Sequence, residues 1–322
     1  MVQKILVTGG SGMVGKAIYE LVKRLGCENT YTFISSKDYD LTDSLQVDKC
    51  FASTQYDMVI HLAAVVGGLY KNMDSNIQMF NDNILINMNI LQACHKYNVN
   101  RGIFCLSSCI YPASPKRFPM LEEDICSSEP HNSNEGYAYA KRMMYILCKH
   151  YNKSYNREYI CVSPVNLYGP YDNFNIKEGH VIPGLINRMY KTIMKQPPYE
   201  NSEKFEVFGS GNALRQFLYV EDFASVILSI LYNENVKDGI YNICDDNNEY
   251  TIREVVQIIA NNFEYPIEKI EFNSRFSDGI IKKTVSNKRM REIFPEFNFT
   301  EFHDGVKKTV EWFKLNNSCI RE

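Results

Sequence analysis

The chain has 322 residues, of which 45% are hydrophobic and 23% charged, a composition that excludes collagen-like, coiled-coil and low-complexity proteins. Its 35 basic and 38 acidic residues give a net charge of -3 without a long basic run, so we expect no nucleic acid partner. The N-terminal apolar stretch is too short for a signal peptide, and no segment approaches the roughly 18 apolar residues of a membrane span. We therefore expect a cytoplasmic protein with no membrane partner.

The ten cysteines are scattered along the chain, with no CxxC pair and no histidine spacing that suits zinc. Disulfide frameworks are typical of small secreted domains rather than of a chain this long. We expect reduced cysteines that mostly pack in the core, and no metal site.

Short apolar runs alternate with helical patterns from Lys4 to about Val162. Long amphipathic patterns extend from Asn76 to Tyr97 and from Tyr137 to Tyr155. Alternating strands and helices predict crossover connections and a parallel sheet, and nearly all-apolar strands predict a sheet covered by helices on both faces. The first part of the chain is therefore predicted to be a doubly wound, Rossmann-like α/β domain.

The pattern becomes less regular after Pro164, with loop-rich stretches and short strand candidates at 205–209 and 239–244. This predicts a smaller mixed α/β lobe that follows the first domain. We assign 1–165 to dinucleotide binding and 166–322 mainly to substrate binding. Because no Pro/Gly/Ser-rich linker separates the two parts, we expect the chain to cross between them, with a small-molecule site in the cleft.

A glycine-rich turn directly follows the first predicted strand and precedes a helical pattern. Its glycines have the spacing GxxGxxG. Glycine permits a tight turn and close approach of a pyrophosphate, and the helix N-terminus offers amide donors to the phosphates. A plain loop is the alternative, but the strand before and the helix after favour a dinucleotide site. The candidate contacts are Gly9, Gly10, Ser11, Gly12, Met13, Val14 and Gly15.

The end of the second strand indicates which dinucleotide binds. A carboxylate there would accept hydrogen bonds from the ribose diol of NAD, whereas a cation would pair with the 2'-phosphate of NADP. Two serines and Lys37 occupy this point, which favours NADP(H); the alternative is that Lys37 is an ordinary surface lysine. We interpret His61, at the end of the next strand, as a core or capping residue. Further candidate cofactor contacts are Asp40 at the adenine edge and, after His61, Leu62, Ala63 and Ala64.

Tyr137 and Lys141 lie four residues apart at the start of a helical pattern, a spacing that places them on one helix face. A nearby ammonium favours the phenolate and lowers the pKa of a phenol from about 10. As a bare pattern this is a common surface pair. Its position after the strand that ends near Ser107 favours a role in proton transfer to a carbonyl oxygen, which the Ser107 hydroxyl would also bind.

Together these features resemble the extended short-chain dehydrogenase/reductases that modify nucleotide sugars. The resemblance narrows to the GDP-L-fucose synthase family and covers essentially the whole chain. The segments that carry it are SSCIYP at 107–112, NLYGP at 166–170, DNF at 172–174, GHVIPG at 179–184, RQF at 215–217 and SDG at 277–279. It implies a substrate, GDP-4-keto-6-deoxy-D-mannose, that is epimerised at C3 and C5 and then reduced at C4 with NADPH.

Epimerisation beside a ketone needs proton-transfer groups on both faces of the ring. The resemblance implies that Cys109 and His180 are these groups. Thiols and imidazoles can both exchange protons near neutral pH. Outside the motifs, Cys109 would more simply be a packing residue and His180 a capping or surface residue. For reduction, the resemblance implies that Tyr137 donates the proton, Lys141 lowers its pKa and binds the nicotinamide ribose, and Ser107 polarises the carbonyl.

Other site residues follow from the resemblance alone. The nicotinamide side is implied to consist of Pro164, Val165, Asn166 and Leu167, with His180 also near the cofactor. The sugar-nucleotide site is implied to contain Arg188, Phe208, Arg215 and Asp278. Phe208 stands where the family commonly has Trp and so lacks an indole donor. Ser11 stands where some bacterial members have Arg, so Lys37 alone carries the NADP preference.

Other functions compete with this interpretation. A nucleotide-sugar 4,6-dehydratase usually has carboxylates just after the strand-end hydroxyl, where this chain has Cys109 and Ile110. A 4-epimerase that retains NAD is a second alternative. A non-catalytic dinucleotide sensor would tend to lose the Tyr137 and Lys141 pair. The two long amphipathic helices resemble those that form a four-helix bundle in this superfamily, which implies a homodimer, although packing on the sheet also explains their apolar residues.

Overall fold

The computed structural model describes residues 2–176, 178–194 and 204–320, with 69–71 described by backbone alone. The described strands are β1 (Lys4–Thr8), β2 (Thr30–Ile34), β3 (Met58–His61), β4 (Arg101–Cys105), β5 (Glu158–Pro164), β6 (Asn166–Tyr168), β7 (Phe205–Phe208), β8 (Leu214–Tyr219), β9 (Ile240–Ile243), β10 (Glu249–Thr251), β11 (Ile270–Asn273) and β12 (Lys282–Lys283). The described α-helices are α1 (Met13–Leu25), α2 (Ser44–Ser53), α3 (Leu69–Asp74), α4 (Asn76–Lys96), α5 (Glu135–Tyr155), α6 (Val181–Met194), α7 (Val220–Tyr232), α8 (Ile252–Asn262), α9 (Lys288–Ile293) and α10 (Phe302–Asn316).

Six of the described strands form a parallel sheet in the order β2-β1-β3-β4-β5-β9. β1 and β3 are fully buried apart from Lys4, as expected for strands with helices on both faces. The order reverses between β1 and β3, and such a switch point is where ligands bind in doubly wound sheets. The predicted Rossmann-like fold is confirmed, and α4 and α5 match the predicted amphipathic helices to within two residues at each end.

Strands of the second part form two smaller sheets in the described chain. β8 pairs with β6, β10 and β12, and β7 pairs with β11. A second apolar core lies among these strands and helices α6, α8 and α10. Residues 240–243, which we expected in the smaller lobe, instead extend the main sheet beside β5, because their apolar side chains are buried against that strand. A short apolar run fits either sheet equally well, so its sequence does not indicate which one it joins.

No described helix is long and apolar enough to cross a membrane. All ten cysteines lie in the described part of the chain, and none forms a disulfide. In the same described ranges, no group of three or more His, Cys, Asp or Glu side chains is arranged to hold a metal ion.

Candidate active site

The glycine-rich turn lies between β1 and α1 and packs tightly on itself. The Gly10 amide donates to the Ile34 carbonyl at 2.8 Å, and the Gly12 amide donates to the Gly9 carbonyl at 3.0 Å. Gly9 has a φ of 71°, a left-handed conformation that favours glycine. A Cβ on Gly15 would lie 2.5 Å from the Gly9 carbonyl oxygen, so α1 begins directly against the turn.

The N-terminus of α1 is therefore open toward the switch point. Gly12 precedes the helix and has no side chain to cap it. The first-turn amides can thus serve an anionic ligand, as a dinucleotide pyrophosphate requires. Of the remaining residues predicted here, Ser11 is exposed at the turn, and Met13 and Val14 are half-buried in the first turn of α1.

The predicted adenine end is an exposed loop after β2. The Asp38 carboxylate is exposed but already engaged, because it accepts hydrogen bonds from the Ser35 amide and hydroxyl, both at 2.8 Å. These bonds lower the pKa of Asp38. Lys37 is exposed. The Asp40 carboxylate accepts hydrogen bonds from the Thr42 amide at 2.9 Å and from the Thr42 hydroxyl at 2.7 Å. Lys37 therefore remains the available charge for a 2'-phosphate.

The ends of β1 and β3 approach closely beside the turn. The amides of Leu62 and Ala63 both donate to the Thr8 hydroxyl at 3.2 Å. A Cβ on Gly9 would lie 2.9 Å from the Ala63 nitrogen. Leu62, Ala63 and the adjacent Ala64 are half-buried, so small side chains border the groove at the switch point.

The residues predicted for the nicotinamide side lie where β5 leads into β6. Pro164 ends β5, and the Val165 amide donates to the Ile243 carbonyl at 3.3 Å. The Asn166 side-chain amide donates to the Gln216 carbonyl at 2.8 Å, which links β6 to β8. Leu167 follows in β6 and is half-buried. This segment thus connects the main sheet to the β8 sheet.

Ser107 and Cys109 lie together after β4. Ser107 caps a 3-10 helix at Ser108–Ile110, and its hydroxyl accepts the Cys109 amide at 3.3 Å. Cys109 is 7% exposed, and burial raises the pKa of its thiol. Lys283 is the largest opposing influence on this pKa, ahead of the Ser107 hydrogen bond and the charge of Lys141.

Tyr137 and Lys141 lie on one face of α5, as predicted. The Lys141 ammonium is 5.8 Å from the centre of the Tyr137 ring and donates to the Cys105 carbonyl at 2.7 Å. Lys141 is 1% exposed, and burial lowers the pKa of its ammonium. Burial raises the pKa of Tyr137 well above its usual value, with smaller contributions from the Cys109 and Cys105 thiols. We expected Lys141 to lower this pKa, whereas burial of the phenol sets its direction in the structure.

A series of hydrogen bonds between buried polar side chains, which no sequence motif indicated, links the ends of the strands to α5. The two ring nitrogens of His61 form hydrogen bonds with the Thr8 hydroxyl at 2.8 Å and with the Asn87 side chain at 3.1 Å. Asn87 in turn donates to the Ala140 carbonyl at 3.3 Å, next to Lys141. Burial lowers the pKa of His61 to about 3, so this histidine is a neutral core residue, as its sequence position predicts. Asn83 and Asn87, four residues apart among apolar residues on the buried face of α4, were the available signal.

His180 lies just before α6 and is exposed. Its carbonyl accepts the Gly184 amide at 3.0 Å, which holds the first turn of α6. Among the described residues, the His180 side chain makes no hydrogen bond to Cys109 or Tyr137. The structure therefore places the imidazole at the surface and does not join it to the other candidate proton-transfer groups.

Arg188 and Phe208 come together in the second part of the chain. The Arg188 guanidinium lies 4.5 Å from the centre of the Phe208 ring and donates to the Glu206 carbonyl. Phe208 also packs against Phe276, with ring centres 4.3 Å apart and ring planes tilted by 33°. Both rings are partly exposed, at 43% and 40%. A cation over an aromatic face beside a second ring offers planar surfaces to a nucleotide base.

Arg215 and Asp278 are close, but Asp278 is not free. Its carboxylate accepts the Ser210 amide at 2.7 Å and the Ser210 hydroxyl at 2.6 Å, which fixes the turn after β7. Burial lowers the pKa of Arg215, and the charge of Asp278 partly offsets this effect. Arg215 donates to the Leu214 carbonyl at 2.8 Å, which leaves other guanidinium nitrogens for an anion.

Lys283 also belongs to this region, although no sequence motif indicated it. Parallel pairing of β12 with β8 places Lys283 directly beside Arg215. Burial lowers the pKa of Lys283 to about 8, while the Cys109 thiol acts to raise it. Lys283 thus lies near both the candidate proton-transfer thiol and the candidate phosphate-binding arginine.

A parallel sheet with a glycine-rich turn after β1, a strand-end serine and a Tyr–Lys pair on the following helix define a dinucleotide-binding protein of the extended short-chain dehydrogenase/reductase class. Comparison with known proteins agrees. The chain belongs to the NAD dependent epimerase/dehydratase family, whose sequence profile matches residues 5–244.

Individual relatives are similar over essentially their whole length. A probable GDP-L-fucose synthase of Drosophila melanogaster is 39% identical over 99% of this chain and 100% of its own. A GDP-L-fucose synthase of Dictyostelium discoideum is 37% identical over 99% of this chain and 97% of its own. A crystal structure of a GDP-L-fucose synthetase from Naegleria fowleri bound to NADP is 36% identical over 99% of this chain and 96% of its own, with a TM-score of 0.90. These findings confirm the family resemblance seen in the sequence.

Proposed function

We propose that this protein is an NADPH-dependent enzyme that converts GDP-4-keto-6-deoxy-D-mannose to GDP-L-fucose by epimerisation at C3 and C5 and reduction at C4. The observation that carries the proposal is the 37–39% identity, over 99% of the chain, to proteins that bear this activity in their names. The close placement of Ser107, Cys109, Tyr137 and Lys141 supports it. A 4,6-dehydratase or an NAD-retaining 4-epimerase is less well supported, because those names occur at 20% identity, where likeness concerns the fold alone.

In the epimerisation, Cys109 removes or returns a proton at a carbon beside the ketone, and His180 serves the opposite face. The ketone acidifies these C–H bonds because the electron pair left behind is delocalised onto its oxygen. Ser107 donates a hydrogen bond to that oxygen and favours its negative charge. Since His180 is exposed and lies before α6, it acts on a substrate that fills the space between the two parts of the chain.

In the reduction, Tyr137 donates its proton to the C4 oxygen. The raised pKa of Tyr137 keeps the phenol protonated and ready to donate at neutral pH. Lys141 is held by the Cys105 carbonyl and stabilises the phenolate that donation leaves. When bound, NADPH supplies the hydride for C4.

We assign the cofactor to 1–165 and the sugar nucleotide mainly to 166–322. The glycine-rich turn fits a dinucleotide because backbone atoms fill the positions that side chains would need, and because no side chain caps the first-turn amides of α1, which can bind phosphate. Lys37 pairs with the 2'-phosphate. Arg215 and Arg188 bind the diphosphate, and Phe208 provides a face for the guanine or the sugar.

The test is NADPH oxidation with GDP-4-keto-6-deoxy-D-mannose in deuterated water, followed by NMR of the product. Oxidation with solvent deuterium at both C3 and C5 supports the proposal. Oxidation without this label indicates a simple 4-reductase. If NADPH is not oxidised, the proposed substrate is wrong, and the nucleotide sugar that the cleft accepts has still to be found.

We also propose a homodimer in which α4 and α5 of two copies form a four-helix bundle. Ile77, Phe80 and Met88 lie at helical spacing along one face of α4 and are exposed, with Ile77 at 80%, and Met143 is exposed on the adjacent α5. A second copy would cover this apolar stripe. Light scattering should give a mass twice the 37.3 kDa of one chain, and Ile77→Glu with Phe80→Glu should give the single-chain mass.

A further inference from the structure

Two buried asparagines hold the segment that follows β3 in the first part of the chain. The Asn83 side chain accepts the Val65 amide and donates to the Val65 carbonyl, both at 3.0 Å. The Asn72 side-chain amide donates to the carbonyls of Gly67 and Gly68, at 2.6 and 3.0 Å. Asn83 is 0% exposed and Asn72 7% exposed, so little water competes for these hydrogen bonds. Gly68 therefore has a fixed place in the first part of the chain.

The residues that lead to His180 are anchored in the second part instead. Phe174 is fully buried in the second apolar core and stacks on Trp312 of α10, with ring centres 6.0 Å apart. Its carbonyl accepts the side-chain amide of Asn187, on α6, at 2.7 Å. The chain thus leaves a rigid point in the second core six residues before His180.

A hydrogen-bonded turn continues from this anchor toward His180. The Asn175 side chain accepts the Glu178 amide at 3.0 Å, and the Asn175 carbonyl accepts the Gly179 amide at 2.8 Å. These bonds fix the backbone that immediately precedes the imidazole-bearing residue.

The two parts of the chain meet, backbone to backbone, at Gly68. Its amide donates to the Glu178 carbonyl at 2.8 Å, and because Gly68 precedes α3, this amide has no acceptor within that helix. A Cβ on Gly68 would lie 2.8 Å from the Gly179 carbonyl oxygen and 3.1 Å from that of Glu178. The φ of Gly68 is -65°, which any residue can adopt. Space for the turn before His180, and not conformation, therefore requires glycine here.

We propose that Gly68 is a positioning residue that sets the place of His180 in the epimerisation. Its amide holds the turn at Glu178 and Gly179, and its missing side chain lets the turn come this close. The inference rests on the proposed function for the role of the imidazole, but the backbone contact does not depend on the substrate. It deepens that function by explaining how an exposed histidine acquires a defined position.

The step that depends on this position is a proton transfer on the ring face opposite Cys109. When His180 returns the proton, an imidazolium N–H bond breaks and a C–H bond forms. The enolate electron pair moves back from oxygen to carbon, and the neutral imidazole regains its proton from water. A methyl group on Gly68 must displace the turn by about 0.5 Å or more to reach ordinary contact distance. Displacement on this scale should slow inversion at least about tenfold.

The first experiment measures backbone amide exchange without substrate, by mass spectrometry with single-residue fragmentation. In the wild-type protein the Gly68 amide should exchange at least about tenfold more slowly than an unprotected amide. Exchange at the unprotected rate overturns the proposal, and this result needs no variant that could fail to fold. In Gly68→Ala, protection at this position and at Gly179 should fall together.

Gly184→Ala is the matched control for Gly68→Ala. The Gly184 amide donates to the His180 carbonyl at 3.0 Å, so this glycine lies on the other side of His180. A Cβ there would meet no atom within 4 Å. This variant should keep wild-type amide protection at Gly68 and a wild-type rate of inversion. If it loses both as Gly68→Ala does, the effect is general and the proposal is wrong.

The second experiment follows solvent deuterium and configuration at C3 and C5 of the 4-keto sugar nucleotide. Gly68→Ala should invert these carbons at least about tenfold more slowly, with the pattern of label at each carbon that His180→Gln gives. NADPH affinity should remain at the wild-type value. A merely structural defect would lower NADPH affinity and label entry at both carbons together, and that result overturns the proposal.

These measurements separate failure of the inference from failure of the proposed function. If His180→Gln loses inversion while Gly68→Ala inverts at the wild-type rate, the function stands and the role of Gly68 is wrong. If His180→Gln inverts normally while Gly68→Ala still loses amide protection, the backbone contact stands. In that case His180 is not a proton-transfer group, and Gly68 has no such group to position.

Discussion

Replacement of Gly15 by alanine tests how the turn shapes the cofactor site. The new Cβ would lie 2.5 Å from the Gly9 carbonyl oxygen and 2.6 Å from the Gly10 Cα, and neither backbone atom can move aside independently. Overpacking of this kind costs about 1–3 kcal/mol, and contacts below 3 Å point to the upper end. Alanine stabilises a helix by about 0.5–1 kcal/mol relative to glycine, which offsets part of this cost. We therefore expect a net loss of about 2 kcal/mol in unfolding free energy. NADPH affinity should fall at least about tenfold, because α1 must shift away from the turn.

Gly184→Ala is the matched control for this prediction. Gly184 also lies inside a helix, but its Cβ would meet no atom within 4 Å. This variant should gain about 0.5–1 kcal/mol from helix propensity alone. Urea unfolding gives the two stabilities, and NADPH fluorescence titration gives the affinities. If Gly15→Ala is as stable as Gly184→Ala and binds NADPH with wild-type affinity, the close packing of the turn is not what shapes the site.

Four other substitutions separate cofactor choice, chemistry and stability. Lys37→Met should weaken NADPH binding roughly fivefold, since an exposed ion pair contributes about 1 kcal/mol, and should leave NADH binding unchanged. Cys109→Ser should lose solvent deuterium entry beside the carbonyl, whereas Tyr137→Phe should lose NADPH oxidation and retain some deuterium entry. Arg101→Met should lower the unfolding free energy by about 3 kcal/mol or more. The buried Arg101 guanidinium donates hydrogen bonds to three carbonyls at the C-terminal end of α7, those of Ile230, Leu231 and Asn233, which would lose this donor.

Each of these four predictions has a result that would contradict it. Equal weakening of NADPH and NADH by Lys37→Met means that the residue does not contact the 2'-phosphate. Loss of deuterium entry in Tyr137→Phe means that Tyr137 also supports enolisation, and loss of NADPH affinity in Cys109→Ser means that Cys109 has a structural role. The Arg101 prediction has Lys237→Met as its control. The exposed Lys237 ammonium lies 3.8 Å from Glu158, the carboxylate that also pairs with Arg101, and its loss should change stability by less than about 0.5 kcal/mol.

The elements that form the cofactor side could be predicted from sequence because their signals are local. β1 begins at Lys4, where the first of the predicted apolar runs begins, and α4 and α5 follow their amphipathic patterns closely. The GxxGxxG spacing leads from a strand into a helix, and the structure has that arrangement at Gly9 to Gly15. In each case a periodicity or a turn requirement lies within one short window, so neighbouring residues alone determine the conformation.

The features that the sequence did not predict depend on pairing between distant segments. Residues 240–243 join the main sheet beside β5, which lies nearly 80 positions earlier. The direction of the Tyr137 pKa could not be obtained from its spacing to Lys141, because burial of the phenol depends on everything packed around α5. Spacing indicates which groups can meet, while the solvent that remains around them decides their charge.

Lys283 shows why this distinction matters for the chemistry of the site. In the sequence it is one of two adjacent lysines after an SDG segment, and nothing in that pattern separates it from Lys282. In the structure β12 places Lys283 beside Arg215, while Lys282 is 40% exposed and pairs with Glu249. Alternation along even two strand residues sends their side chains to opposite faces. Register, rather than residue type, therefore decides which of the two lysines lies beside Arg215.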